Sequence, residues 1–179
     1  MKVAIVGAGN VGKAIFHDLQ YVNMIREITL TGRNIDKVRA EVLDARDAAV
    51  LREAYGPRLS YGGYEATEGA DIIIYSAGSA KVKTDRMEML HDNCVIAEEI
   101  FTEVVRYNKD AIHICVTNPL DVITMKIQQV TGQAPGRSSA PAPSWRAPGW
   151  CAMWRISWRS PTGPSTCPWW GSMAPAPWP

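Results

Sequence analysis

Three glycines near the start of the chain have the clearest chemical meaning. Gly7, Gly9 and Gly12 stand in G-x-G-x-x-G spacing within MKVAIVGAGNVG. The Lys2–Val6 run before them is short, apolar and rich in β-branched residues, which predicts a buried strand. After them, Ala14, Ile15, Leu19 and Val22 fall at helical spacing, predicting a helix over Lys13–Val22. Strand, glycine turn and helix together are the setting in which this spacing binds a dinucleotide. Gly7 permits the sharp turn, Gly9 lets the backbone approach a pyrophosphate, and Gly12 lets helix and strand pack closely. The free N–H groups and the positive end of the helix dipole favour the phosphates. Loop glycines in a plain strand–turn–helix are the competing reading, and the context of the motif disfavours it.

The residue that selects NAD in such folds is an acid about 20 residues beyond the glycines, at the end of the second strand. Gly32 followed by Arg33 holds that place. A missing carboxylate removes repulsion toward a 2′-phosphate, and a guanidinium can bind one. The expected cofactor is therefore NAD or NADP, with a lean to NADP; the alternative leaves Arg33 in solvent, stacked on adenine at most. His17, His91 and His113 are the only histidines. Their places in predicted helices and a strand give them solvated or satisfied packing roles. Cys94, Cys115, Cys151 and Cys167 lack metal-ligand spacing, so no metal is expected. Cys94 and Cys115 read as buried thiols of a cytoplasmic protein. Asp44, Asp47 and Glu53 read as a solvated helix face.

The elements that would position these residues alternate. Glu27–Thr31 is a second strand, and Asn34 can cap a helix running to about Ala54 with Val38, Val42, Ala45 and Ala49 on one face. Leu59–Tyr61 is a weak strand before Gly62-Gly63, and Asp71–Ser76 a strong buried one ended by Ala77-Gly78. Ser79–Asp85 is a polar loop. Met87, Leu90, Cys94, Ala97, Phe101 and Val104 predict a long amphipathic helix to about Tyr107. Ala111–Val116 is the next strand, and Pro119–Val130 a helix closed near Gly132. Apolar strands alternating with helices imply an α/β, Rossmann-type doubly wound parallel sheet, with ligands at the carboxyl ends of its strands. Five strands are legible where a complete fold has six. The carboxyl ends carry Gly7–Gly12, Gly32-Arg33, Ala77-Gly78 and Thr117-Asn118. The near-balanced charge, formally +1, gives no reason to expect nucleic acid or an anionic membrane as partner. No apolar run is long enough to span a bilayer, and the N-terminal strand is too short for a signal peptide.

GAGNVG at Gly7–Gly12, SAG at Ser76–Gly78, a loop ending in Arg86 and TNPLDVIT at Thr117–Thr124 resemble, in order and spacing, the L-lactate/malate dehydrogenase family. The branch most similar is the L-2-hydroxyisocaproate dehydrogenases. The resemblance covers the chain to about Arg137. It implies that Arg86 polarises the substrate carbonyl and that Asn118, next to a cis Asn118–Pro119 bond, hydrogen-bonds substrate beside the nicotinamide. It also implies that Gly7, Gly9, Asn10, Val11, Gly12, Gly32, Arg33, Ala77, Gly78, Val116 and Asn118 contact the cofactor. A surface arginine and an ordinary turn asparagine are the plainer readings of Arg86 and Asn118. A cation in the first turn of a helix opposes the macrodipole, so Arg86 lacks a local structural reason. The implied activity is interconversion of a small L-2-hydroxy acid and its 2-oxo acid by an intact homo-oligomer. A sugar or polyol dehydrogenase on the same fold is the rival enzyme, against which TNP argues. None of the histidines matches the family's catalytic one. Lys81 and Lys83 could favour a dicarboxylate substrate, though exposed loop lysines are usually just solvated.

Composition breaks after this point. Every tryptophan lies at or after Trp145, no acid follows Asp121, and from about Arg137 the chain is Pro, Trp, Ser, Ala, Arg and Gly without period. The expected organisation is a dinucleotide domain over 1–136 and an aberrant, disordered tail over 137–179. The family continues with a strand of the type VIGTGT. If Arg137–Pro143 is encoded CGG TCA TCG GCA CCG GCA CCG, reading from the third base gives Val-Ile-Gly-Thr-Gly-Thr. In the same frame Trp170–Ala174 permits Gly-Glu-His-Gly, the family's catalytic-histidine motif. The tail thus reads as an out-of-frame translation. Without a sixth strand, Ala111–Val116 would present an open apolar edge and make the chain poorly soluble. The chain as written would then be a nucleotide-binding fragment without turnover.

Overall fold

The computed structural model describes residues 1–50, 56–79, 86–133 and 137–139. Its strands are β1 (Lys2–Val6), β2 (Glu27–Thr31), β3 (Arg58–Gly62), β4 (Ile72–Tyr75), β5 (Ile112–Cys115) and β6 (Ser138–Ser139). Its α-helices are α1 (Asn10–Leu19), α2 (Ile35–Val50), α3 (Arg86–Tyr107) and α4 (Leu120–Thr131). The sheet runs β3-β2-β1-β4-β5-β6, and every pairing is parallel. This is the doubly wound order, with its switch between β1 and β4.

β1 is apolar from Val3 to Val6 because it is covered twice. Val3 and Ile5 point into a cluster with Phe16 of α1, Val38, Val42 and Ala45 of α2, and Ile28, Leu30 and Leu59. Ala4 and Val6 point to the opposite face, where Ile73, Tyr75 and Cys115 meet Ala97, Phe101 and Val104 of α3 and Ile123 and Ile127 of α4. Helix ends agree with local chemistry. Asn34 Oδ1 accepts the Lys37 amide at 2.9 Å, capping α2. Gly132, at φ 64°, closes α4 in the left-handed conformation with its N–H on Gln128 O. A 3₁₀ turn at Tyr64–Thr67, not expected from sequence, follows β3.

The five expected strands carry the sheet, and its sixth position is held by only two residues. Ser138 and Ser139 lie opposite His113 and Ile114, and the His113 N–H donates to Arg137 O at 2.8 Å. The edge of β5 expected to stand open is thus paired at His113 and Ile114 alone. Ladder hydrogen bonds join backbone to backbone, so a serine pair can take a place for which its side chains give no signal. This carries the sheet past the expected boundary at 136. The rest of the tail, Glu53, Lys81 and Lys83 lie outside the described residues, as do Cys151 and Cys167.

Candidate functional site

The glycine turn is built as its spacing demands. Gly7 has φ 119°, and a Cβ there would sit 2.6 Å from Ala77 N. A Cβ on Gly12 would come within 1.8 Å of Gly7 O, so helix and turn meet there with no room for a side chain. Gly9 differs, since nothing lies within 4 Å of its would-be Cβ. It is the open N-cap of α1, without a side-chain cap, and the first turn of α1 carries no acid. The Lys13 N–H donates to Gly9 O at 2.9 Å, which leaves the amides of Asn10, Val11 and Gly12 without intrahelical acceptors. A pyrophosphate fits this opening, because backbone donors face it and no Cβ blocks it.

A cavity of about 520 Å³ opens from this turn at the carboxyl ends of β1, β2 and β4. Among the residues expected from sequence, Gly7, Gly9, Asn10, Val11, Gly32, Arg33, Ala77 and Gly78 line it together. Gly12 lies buried beneath the turn, and Val116 and Asn118 are not in the lining. Asn34, Lys37, Tyr64, Ser76 and Ser79 also line it and were not foreseen. No Asp or Glu is among its described lining residues.

Asn118 belongs to a second cluster. Its bond to Pro119 is cis. Asn118 itself is exposed, but its carbonyl accepts Asn93 Nδ2 at 2.8 Å, and Asn93 Oδ1 accepts the Ser79 amide at 2.8 Å. Asn93, only 4% exposed on α3, thus ties the loop after β4 to the turn before α4. Thr117 adds a bond from its hydroxyl to Ala77 O at 2.8 Å. Arg86 opens α3, but its side chain lies outside the described residues.

The histidines divide. His91 is exposed. His17 Nε2 lies 3.0 Å from Glu41 Oε1, and Lys13 donates to the other oxygen of that carboxylate. Burial pushes Glu41 up, but these bonds and charges outweigh it and hold the acid below its usual range. His113 is buried against Phe101, ring centroids 5.1 Å apart, yet neither ring nitrogen has a hydrogen-bond partner among the described residues. It is packed but not satisfied, which corrects the expectation. Burial, then the Arg137 charge, lowers its pKa to about 4, so its ring is neutral at physiological pH. Burial also pushes up the Tyr75 hydroxyl and the Cys115 thiol. Asp44 and Asp47 are exposed as expected, Cys94 is half-buried, and among the described residues no cluster could hold a metal.

A family model described as lactate/malate dehydrogenase, NAD binding domain, matches residues 1–139. The chain belongs to this family. It is 36% identical over 138 residues to an L-lactate dehydrogenase of Nitratidesulfovibrio vulgaris, covering 76% of this chain and 44% of the relative. It is 35% identical over 132 residues to an L-lactate dehydrogenase of Clostridium botulinum, covering 73% and 41%. The chain therefore spans less than half the length of these curated family members. Among solved structures it is similar to the minor L-lactate dehydrogenase of Enterococcus mundtii, with TM-score 0.72 and 28% identity over 78% of this chain and 44% of that one. It is likewise similar to the malate dehydrogenase of Archaeoglobus fulgidus in complex with NADH, with TM-score 0.72 and 28% identity over 78% and 48%. The portion this chain shares with the family is its NAD-binding domain, and no described helix is long and apolar enough to cross a membrane.

Proposed function

We propose that this domain serves a cytoplasmic, homo-oligomeric oxidoreductase that interconverts a small L-2-hydroxy acid and its 2-oxo acid, using NAD or NADP. The observation that carries the reading is the glycine-lined cavity at the sheet's switch point, with no carboxylate in its described lining. The relatives named L-lactate dehydrogenase and the NADH-bound malate dehydrogenase support it. A bound nicotinamide would supply the hydride donor or acceptor. The chain's own residues would do the rest. The first turn of α1 holds the pyrophosphate, Asn118 hydrogen-bonds the substrate oxygen, and Arg86 polarises the carbonyl. Asn93 fixes the Asn118 turn against the loop at Ser79.

In this reading the 179-residue chain binds nucleotide without turning over. It has no histidine in the family's acid/base position, and so lacks a group whose loss costs roughly a hundred- to ten-thousandfold in rate. It also lacks the carboxylate that orients that histidine and the second arginine that clamps the substrate. The test is to restore the frame at Arg137 and assay both chains with NADH or NADPH and a panel of 2-oxo acids. The restored chain should reduce at least one of them, and Arg86→Gln should cut its turnover far more than its cofactor affinity. Robust turnover by the unrepaired chain would show the active site to be misplaced. Resequencing provides an independent check, because an intact frame with other codons at Ser138–Pro143 would defeat the frameshift.

A further inference from the structure

We propose that Arg33 and Lys37 form a subsite for the 2′-phosphate of an NADP-type dinucleotide. The proposal rests on the dinucleotide reading and specifies which phosphate the cavity takes. Both residues line it, Arg33 just past β2 and Lys37 in the first turn of α2. Neither side chain makes a hydrogen bond or ion pair with a described residue. Lys13 and Lys126, by contrast, have their charges taken up by Glu41 and Glu98. Two uncompensated cations at a cavity without a carboxylate in its described lining create a positive potential that concentrates anions.

The donors and acceptors also match. Selecting NAD requires an acceptor for the ribose 2′-hydroxyl, usually an acid at the end of the second strand. Gly32 stands there without a side chain, and Asn34 Oδ1 already accepts the Lys37 amide at 2.9 Å. What this end offers instead is a guanidinium and an ammonium, which only donate. A phosphate monoester, all acceptor oxygens and close to two negative charges, complements them better than a hydroxyl does. A Cβ at Gly32 would meet Val38 Cγ2 at 3.2 Å and Ala8 Cβ at 3.6 Å, so a side chain there requires the buried Val38 to give by a few tenths of an ångström.

The test uses the full 179-residue chain and needs no turnover. NADPH and NADH are titrated by nicotinamide fluorescence, and 2′,5′-ADP and 5′-AMP are compared as competitors. NADPH should bind about tenfold more tightly or better, the value of one charge-assisted hydrogen bond. That ratio should shrink with added salt. It should approach one in the Arg33→Ala/Lys37→Ala double variant, whose substitutions are at exposed positions. Gly32→Asp should turn it toward NADH. Equal or tighter NADH binding by the parent chain overturns the subsite and leaves the dinucleotide reading standing. An NADPH preference that survives the double variant overturns the assignment to these residues. Failure of both dinucleotides to bind removes the subsite together with the reading beneath it.

Discussion

On one face of the sheet, α1 and α2 close over an entirely apolar cluster that includes Phe16, Ile28, Leu30 and Val42. On the other, α3 and α4 close over one that also holds the His113 ring and the Tyr75 hydroxyl, neither with a hydrogen-bond partner among the described residues. The first face belongs to the nucleotide-binding half, β1 to β3. Most of its polar groups are paired, Glu41 with Lys13 and His17 and the buried Thr29 with Ser60, while the buried Thr31 hydroxyl has no hydrogen-bond partner among the described residues. The second face belongs to the half that carries Asn118 and ends in the two-residue β6. Polar groups buried without partners cost stability. The comparison teaches that the nucleotide half leaves a single buried hydroxyl, that of Thr31, without a partner among the described residues, and that Ile74 of β4 completes its apolar cluster. The other half retains unmet polar demands and a nearly bare edge.

The glycine turn offers the largest perturbation of the first half. Gly12→Val places its Cβ where Gly7 O already lies, so it should cost more than about 3 kcal/mol and abolish dinucleotide binding. Gly9→Ala meets nothing and only worsens an N-cap, by about 1 kcal/mol. It should nonetheless weaken dinucleotide binding by crowding the backbone approach. Urea unfolding with a parallel cofactor titration checks the pair. Equal losses of stability would break the distinction between a packing glycine and an approach glycine.

Acid should act on the second half. The folded pKa of His113 lies near 4, below the ordinary 6.5, so the unfolded chain takes up a proton that the folded chain refuses. The stability tied to this neutral ring is fully present above pH 6.5 and is lost as pH falls toward 4. The loss should reach roughly 2–3 kcal/mol. Comparing urea midpoints for the parent chain and His113→Leu from neutral to mildly acid pH isolates it. A parallel pH dependence in the two proteins would show that His113 is not the group responsible.

Asn93 sharpens the comparison at smaller scale. Asn93→Ala removes the side-chain acceptor of the Ser79 amide and the side-chain donor to the Asn118 carbonyl and should cost about 1–2 kcal/mol. Amide exchange should quicken at Ser79 and leave β2 unchanged. An unaltered Ser79 amide would refute the tie.

The sequence made the first half readable because its information is local. The glycine spacing, the Asn34 cap and the Val38–Val42–Ala45 stripe each lie within one element and its neighbours. Asn93 escaped because its two bonds reach across 14 and 25 residues. The available signal was a polar residue amid the apolar positions of α3, between Leu90 and Ala97. Lys37 carries no signal of its own in the sequence, and the fold places it on the same cavity as Arg33. β6 escaped because a backbone ladder needs no particular side chain.

We propose that the nucleotide-binding half takes up its dinucleotide without help from the half that would carry a catalytic histidine. Calorimetric titration of the 179-residue chain with NADPH, followed by a 2-oxo acid while nicotinamide absorbance is read, tests it most directly. The account predicts weak but saturable binding that Gly12→Val abolishes, and an absorbance that stays flat after the oxo acid is added. An absence of binding heat, or oxidation of the nicotinamide above the blank, would contradict it.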